Sequence, residues 1–540
     1  MKANVKKLLS ILLVMTMMVA LFAGCNNDLK PTDPSKNDPK PTDSQPVVED
    51  NLSGTITICV QARLGTQEGF EAVAAAYKKM HPNVNIVIDL KAPDGYGDWL
   101  VSLDNVANPD VDIAEFFQGT FDHTRLLELT DYLDVKSPYS DGTWGEQFEM
   151  AAVGTSGVTG EAALLSLFST QVMWIYNKDI FEEVGVEVPE TWDELVTVCE
   201  KISAAGYQPI AQKYQYLTEW LAQIYMDQTT RSSLQHIAAQ PGDYCYDPDV
   251  DGKWKLDITD PWNDAAGRVN QNIVRALKAV KDGNLSFDTP GGKTVWENFA
   301  KVFPKYAGGE AFFTTSGDGI SDKFYRSEAA MIFDGGWSLF GFQRTLDELK
   351  EKGSYVDENG NTVFAEGFEL GTFSMPTMTG EGIEVPVRSI EVPSSGFSIL
   401  NKDQEHNDLV MDFIMFYSST EGMAIYVDAF LKAGGSLDGP SYVYGIPFPE
   451  KYAPMFENLE SIGNVQIGYA YCFATSVPFM AESAREFDIM AYEYLNGRMA
   501  VEDFLSQAQS NIIKYLPGLQ QALNISDADI ENPANAPVGY

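Results

Sequence analysis

Residues 173–210, MWIYNKDIFEEVGVEVPETWDELVTVCEKISAAGYQPI, leave the chain little conformational choice. Met173, Trp174, Ile175 and Tyr176 form an apolar, aromatic run that reads as a buried strand, and Asn177, Lys178 and Asp179 turn it. After a short helix and a Gly185–Pro189 loop, Thr191 stands at an N-cap position with Glu194 three residues on, a capping box. Leu195, Val198, Cys199 and Ile202 then recur at the spacing of one buried helix face. Propensity and periodicity establish no more than this strand, turn and capped helix.

The ends of the chain belong outside that fold. Lys2, Lys6 and Lys7 precede the apolar run Leu8–Phe22, which is short for a membrane-spanning helix and reads as a secretory signal over residues 1–24. It closes on Leu21-Phe22-Ala23-Gly24-Cys25, which resembles a lipobox with Phe22 replacing the usual aliphatic residue; the resemblance implies lipidation at Cys25. Two acyl chains, at about 0.8 kcal/mol per buried methylene, hold a protein durably on a membrane. From Asn26 to Asn51 the chain alternates five prolines with Asp, Thr, Ser and Lys and repeats KPTD, so residues 25–51 read as a lipidated, disordered tether reaching roughly 80 Å at about 3.1 Å per residue.

The remaining 489 residues suffice for two or three domains with sizeable cores. Of 37 basic and 77 acidic residues, six of each precede residue 52, so the folded part carries 31 against 71 and the whole net charge of −40. Such a surface repels nucleic acid and anionic lipid and suits a neutral or cationic ligand. Four cysteines follow Cys25 (Cys59, Cys199, Cys245, Cys472); two disulfides in three connectivities are open, and buried thiols at Cys59 and Cys199 equally so.

Taken in order, GTITICV (54–60), a helix face of Phe70, Val73, Tyr77 and Met80, and a strand Val84–Leu90 make a β-α-β start. A helix near 95–103 leads through NPDV to a strand Val111–Phe117. Helical patterning returns at 265–279 and 295–303, and 526–540 reads as a frayed tail. In Asp247-Pro-Asp249-Val-Asp251-Gly252 the aspartates resemble the first half of a calcium loop, with Ile258 where its last carboxylate belongs; an Asx-rich turn between two short strands explains the same residues. No further cofactor is expected.

YNKDIFEEVG with PETWDEL, the PNVNIVI and PDV strings, FYRSEAAMIFDGGWSLFGF (324–342), the PMP turn with VPSSGFSIL (up to 400), the helix 408–417 ending in SSTEG, and YEYLNGRMAVEDFLSQAQ (492–509) together closely resemble the maltose-binding type of bacterial extracellular solute-binding proteins, across most of 52–510 except 228–323. The resemblance implies a two-lobed, periplasmic-binding-protein-like α/β fold of type II, each lobe a sheet flanked by helices and joined by hinge crossings. It implies a first lobe of 52–169 with 377–436 and a second of 170–376 with 437–540. It further implies ligand contacts from Phe116, Phe117 and Gln118 at a strand end, Thr170 and Gln171 at a crossing, Tyr216 and Trp220 on the far wall, and Asp334 and Trp337 at an interlobe turn. Relatives carry another stacking tryptophan near the last glycine, for which Phe479, Tyr471 or Phe473 would stand in. Gly335 and Gly336 permit close backbone approach before Trp337, whose indole offers a broad apolar face with one donor.

The function so implied is an extracellular, membrane-anchored capture subunit, a monomer that delivers a carbohydrate, an oligosaccharide by preference, to an ABC permease. A peptide or polyamine in the same role is the alternative, and a secreted carbohydrate-active enzyme the rival of another class. No GxSxG, HExxH or GxxxxGK[ST] motif occurs, and the four histidines have no partner at ligand spacing, so an enzyme is not expected.

Overall fold

The computed structural model describes residues 52–103, 105–116, 125–149, 152–155, 162–265, 267–315, 317–357, 359–394, 396–460, 462–478 and 480–537. The signal, the tether and Cys25 lie outside them.

Thirteen strands are present among these residues: β1 (Gly54–Gln61), β2 (Val84–Lys91), β3 (Ile113–Phe116), β4 (Val153–Thr155), β5 (Ala162–Leu165), β6 (Ser169–Asn177), β7 (Gln208–Ala211), β8 (Ala329–Gly335), β9 (Ser354–Val356), β10 (Thr362–Phe364), β11 (Leu370–Phe373), β12 (Glu391–Pro393) and β13 (Gly396–Ile399). They form a six-stranded sheet in the order β2-β1-β3-β13-β5-β4, a five-stranded sheet in which β11-β6-β8-β7 is joined by β12 on β6, and a β9–β10 hairpin. β1 runs parallel to β2 and β3, and β7 parallel to β8, whereas β13 and β6 run against their neighbours. Parallel strands demand helical crossovers, and the helix Thr66–Met80 supplies the first, burying Phe70, Val73 and Tyr77. Met80 ends that face in solvent, 40 % exposed.

The opening string folds as its local signals require. Thr191 Oγ1 accepts from the Glu194 N–H and the Glu194 carboxylate accepts from the Thr191 N–H, so the box closes the helix Trp192–Ala204, with Leu195, Val198, Cys199 and Ile202 inside. Elsewhere propensity misleads by a few residues. The helix expected from 265 begins at Ile273, because Asn272 caps it, its Oδ1 accepting from the Val274 N–H. The expected tail instead folds a short helix, Asp527–Glu531, capped by Ser526 and tied to Lys278 and Lys281, with Ile530 buried. All four cysteines after Cys25 are free thiols, and burial pushes Cys59 up to about 12.

One hydrophobic cluster packs the face of the second sheet carrying Trp174, Tyr176 and Phe333 beneath the helices Trp192–Ala204 and Pro290–Val302. Met378, Val387 and Ile390 belong to it, so 377–390 packs with the second sheet before β12 leads back to the first. The sheets are joined by adjacent strand-like crossings. The Ser169 N–H donates to Pro440 O (2.9 Å), the Tyr442 N–H to Leu167 O (2.9 Å) and the Ser394 N–H to Phe168 O (2.8 Å). Among the described residues no helix is long and apolar enough to cross a membrane.

Candidate ligand cleft

The carboxyl ends of β1, β3, β7 and β8 carry the candidate residues, as expected of α/β sheets, where ligands meet the strands' carboxyl ends. On the second sheet, β7 gives way to Gln212, Lys213 and a helix over 214–227. That helix is α-helical at Tyr214–Tyr216 and Ala222–Asp227 and π-helical between, at Leu217–Leu221. Its apolar side (Leu217, Leu221, Ala222, Ile224, Tyr225) is buried, while Tyr216 and Trp220, four residues apart, share a half-buried side. A π-turn inserts one residue into the helical register and is a frequent mark of functional sites.

The three ring systems assigned by resemblance come together. Tyr216 stacks on Trp220 with centroids 4.1 Å apart and planes at 26°, and Trp220 meets Trp337 edge-on at 5.2 Å and 71°. Phe333 supports Trp220 from the sheet, at 6.4 Å. Lys213 Nζ donates to Tyr216 Oη (3.2 Å) and lies 4.8 Å from that ring's centroid. Asp334 sits at the turn into the helix Gly336–Lys352; its carboxylate accepts from the Gly335 N–H (2.8 Å) and from Ser338 and Trp337. Burial holds its carboxyl above the usual range, against the charge of Lys213.

The glycine pair works differently from the expectation. Neither Gly335 nor Gly336 has positive φ, so backbone freedom is not the reason for them. A Cβ on Gly335 would lie 2.2 Å from the Trp337 ring, and one on Gly336 would lie 1.9 Å from the Asp438 carbonyl oxygen. The pair makes room for an indole and for a hinge crossing.

Opposite, β1 and β3 present charge. Arg63 Nη2 pairs with Glu115 Oε1 at 2.6 Å; Glu115 is buried and also accepts from the Gln61 N–H at 3.2 Å, whereas the Arg63 side chain is 45 % exposed. Asp438 reaches this pair from the 438–442 crossing, held by Ser394, and burial raises its carboxyl despite Arg63. Because its carbonyl also touches Gly336, Asp438 links the two walls. Glu219, beside Trp220, and Asp488, hydrogen-bonded by Thr218, are both raised by burial, Glu219 further by the charge of Asp488.

The other expected residues divide. Thr170 lies at the crossing, 4 % exposed, its buried hydroxyl without a hydrogen-bond partner. Gln171 turns to the flank, where Nε2 donates to Glu460 O (3.0 Å). Phe116 ends β3, paired with Gly396, but its side chain and all of Phe117, Gln118 and Phe479 lie outside the described residues. Phe473 is core, and Tyr471 is half-buried near Cys472. The aspartate loop is a closed Asx turn with no strand on either side: Asp251 accepts from the Asp247 N–H (2.8 Å) and the Asn270 N–H (2.7 Å), Asp247 accepts from the Asp249 N–H (2.8 Å), and Asp249 faces Lys253. The Asx-turn reading explains these residues, and no cluster of three or more metal-ligating side chains is present among the described residues. A surface cavity of about 160 Å³, lined by Thr191, Asp193, Glu297, Lys301 and Thr377, shares no residue with either wall.

Sequence reasoning missed Arg63, Glu115, Lys213, Glu219, Asp438 and Asp488. Glu115 carried a signal, a lone carboxylate in the apolar strand IAEF, which burial tolerates only with a partner.

Comparison with known proteins agrees with this architecture. The solved structure of apo RafE from Streptococcus pneumoniae superposes with a TM-score of 0.53 at 15 % identity, covering 85 % of this chain and 99 % of that one. A chitin oligosaccharide binding protein gives 0.52 at 18 % identity, covering 86 % and 100 %. The cyclic α-maltosyl-1,6-maltose binding protein of Arthrobacter globiformis gives 0.52 at 12 % identity, also covering 86 % and 100 %. RafE has also been solved in complex with raffinose. A search of curated sequences gave no match. The fold is the two-lobed type II binding-protein fold. The model of one family, described as bacterial extracellular solute-binding protein, matches residues 64–424, well over half the chain, and the chain belongs to that family.

Proposed function

We propose that this protein captures an oligosaccharide between its lobes and delivers it to an ABC permease, releasing it unchanged. The Tyr216–Trp220–Trp337 assembly carries the reading: three adjoining rings, packed on Phe333 and left half-exposed, form a rigid apolar surface of the kind that covers sugar faces. Asp334, Glu219, Asp488 and Lys213 lie beside it, and Arg63 and Asp438 come from the other sheet and the crossing, together offering acceptors and two cations for hydroxyl groups. The chain works as a monomer of two lobes, 52–169 with the return to 436, and 170–376 with 437–540, with 377–390 counted to the second lobe on which it packs. After removal of residues 1–24, acylated Cys25 holds it outside the cytoplasmic membrane on the 26–51 tether, and its acidic surface turns away nucleic acid.

A cationic ligand in the same transport role, a polyamine or basic peptide, is the second reading. The four buried-shifted carboxylates favour it, since an ammonium group would stabilise their charged forms. Thermal-shift measurements on residues 52–540 with raffinose, chito- and malto-oligosaccharides, spermidine and tripeptides separate the two. A ligand at 100 times its Kd adds about 2.7 kcal/mol. A rise with a sugar that Trp337→Ala abolishes supports the first reading; a rise with spermidine alone replaces it with the second; sugar cleavage products would sink both.

A further inference from the structure

A second buried group of charges, apart from both walls, lies at the far end of the helix that carries Tyr216 and Trp220. Arg388 donates to Asp227 from both Nε (2.9 Å) and Nη2 (2.6 Å), and to Asp264 from Nη1 (2.8 Å) and Nη2 (3.1 Å). Arg231 Nη1 donates to the same Asp264 at 2.6 Å. The side chains of both arginines are 3 % exposed and those of the aspartates 7 % and 5 %, so two positive and two negative charges balance out of water. Backbone carbonyls of Asp260 and Pro261 take further guanidinium protons.

What the four residues join is more telling than how tightly. Asp227 ends the 214–227 helix that carries Tyr216 and Trp220, on the same helix two turns beyond Trp220. Arg388 precedes the hinge crossing: the Ser389 hydroxyl donates to Val172 O (2.6 Å), the Val172 N–H to Ile390 O (2.9 Å), and β12 follows on β6. Asp264 and Pro261 come from the turn-rich stretch 240–272, the part of the chain that resembled the family least. Fork-to-carboxylate pairing fixes position and orientation together, which a hydrophobic contact does not.

We propose that Arg388 is a positioning residue for ligand binding: its bidentate clasp on Asp227 fixes the helix bearing Tyr216 and Trp220 to the hinge crossing, with Arg231 and Asp264 balancing the buried charge beside it. Hinge movement and the aromatic wall then form one mechanical unit, so closing the lobes carries the rings with the crossing. The inference rests on the cleft proposed above, but part of its test needs no ligand.

The test removes the Arg388–Asp227 link while leaving Arg231 and Asp264 paired. Arg388→Met with Asp227→Leu deletes one charge of each sign, a replacement that buried ion pairs commonly tolerate. In the full chain this variant should melt within a few degrees of the parent. In its near-ultraviolet circular dichroism, the difference from the parent should match the difference that Trp220→Leu produces, which isolates the Tyr216–Trp220–Trp337 contribution from that of the other aromatic pairs. Its affinity for whichever of raffinose, maltotriose or chitotriose binds the parent should drop about tenfold, within the range by which residues touching no ligand modulate coupling. The complementary pair, Arg231→Met with Asp264→Leu, keeps the bidentate link and should leave both readouts near the parent's. If the first variant does not fold, Arg388→Gln with Asp227→Asn, which removes both charges and the bidentate fork but keeps polar side chains at the two positions, takes its place. A dichroism spectrum equal to the parent's overturns the proposal, as does parental affinity. If none of the sugars binds the parent, the proposed function has failed, and the dichroism alone decides the clasp.

Discussion

The second sheet sends rings into the cleft, with Lys213 and carboxylates beside them, where the first sends charge without rings. β7 and β8 run out into helices that set Trp220 and Trp337 within 5.2 Å of each other, while β1 and β3 run out into Arg63 and buried Glu115 at 2.6 Å. Both walls obey the same topological rule, so the difference lies in what supports each. Behind Trp220 stand Phe333, Trp174 and a large apolar cluster, which can hold a ring without hydrogen bonds. Behind Glu115 are the Gln61 N–H and Arg63, which can hold a charge but no flat surface. A sugar has two apolar faces and a rim of hydroxyls, and each wall suits one of these.

The sharpest way to break this comparison is to part the walls. Gly336→Ala would place a methyl carbon 1.9 Å from the Asp438 carbonyl, a backbone clash that no side-chain rotation relieves. We expect a loss of about 3 kcal/mol in urea unfolding, the upper end for overpacking, with loss of ligand binding. Gly341→Ala, in the same helix with nothing within 4 Å of its added carbon, is the control and should gain about 0.5–1 kcal/mol. Equal behaviour of the two would mean that the walls are not joined at Gly336.

Next in size is the contrast between the walls. Trp220→Ala should weaken sugar binding by about 2–4 kcal/mol, as removal of a central aromatic anchor does. Arg63→Ala should cost about 1.5–3 kcal/mol, the scale of hydrogen bonds to a charged group. Titration calorimetry decides between them. An Arg63 effect exceeding that of Trp220 would reverse the assignment of faces and rim.

The carboxylates give a smaller, signed effect. Burial raises Asp334, so the folded state holds its proton to higher pH than the unfolded chain does. Its contribution to stability is therefore greatest below the unfolded carboxylate value and is lost as pH rises through the folded one. A ligand whose hydroxyls donate to Asp334 prefers the charged form, so affinity should fall as pH drops through that same range. Asp334→Asn should flatten both trends relative to the parent; an unchanged pH slope in binding would exclude Asp334 from contact.

Features of short range were legible before the structure. The Thr191–Glu194 box, the strands that became β1 and β2, and the half-buried Tyr216, Trp220 and Trp337 follow from local chemistry or from the family strings. What escaped notice depends on long-range placement. Arg63 and Glu115 are 52 residues apart, and Arg388 and Asp227 are 161, so no local pattern pairs them. The π-turn at Leu217–Leu221 leaves QYLTEWLAQIY reading as an ordinary helix, because an extra residue in the register changes no composition. The Gly335–Gly336 pair was visible as two small residues, but whether a glycine serves φ or space is decided by neighbours such as the Asp438 carbonyl. The chain after Ser526 looked frayed because its partners, Lys278 and Lys281, lie about 250 residues away.

The smallest test asks whether the aromatic wall is purely apolar. Lys213 touches Tyr216 twice, by a hydrogen bond from Nζ at 3.2 Å and by a charge 4.8 Å from the ring centroid, and its charge also opposes the raised Asp334. Lys213→Met keeps the apolar stem and removes only the charge. If the wall works through its faces, sugar affinity should change by no more than about 0.5–1 kcal/mol, the size of a partly exposed cation–π contact. A Lys213 effect as large as that of Trp220 would mean that the ring stack is held by the ammonium group, and a wall that binds through its apolar faces would no longer describe it.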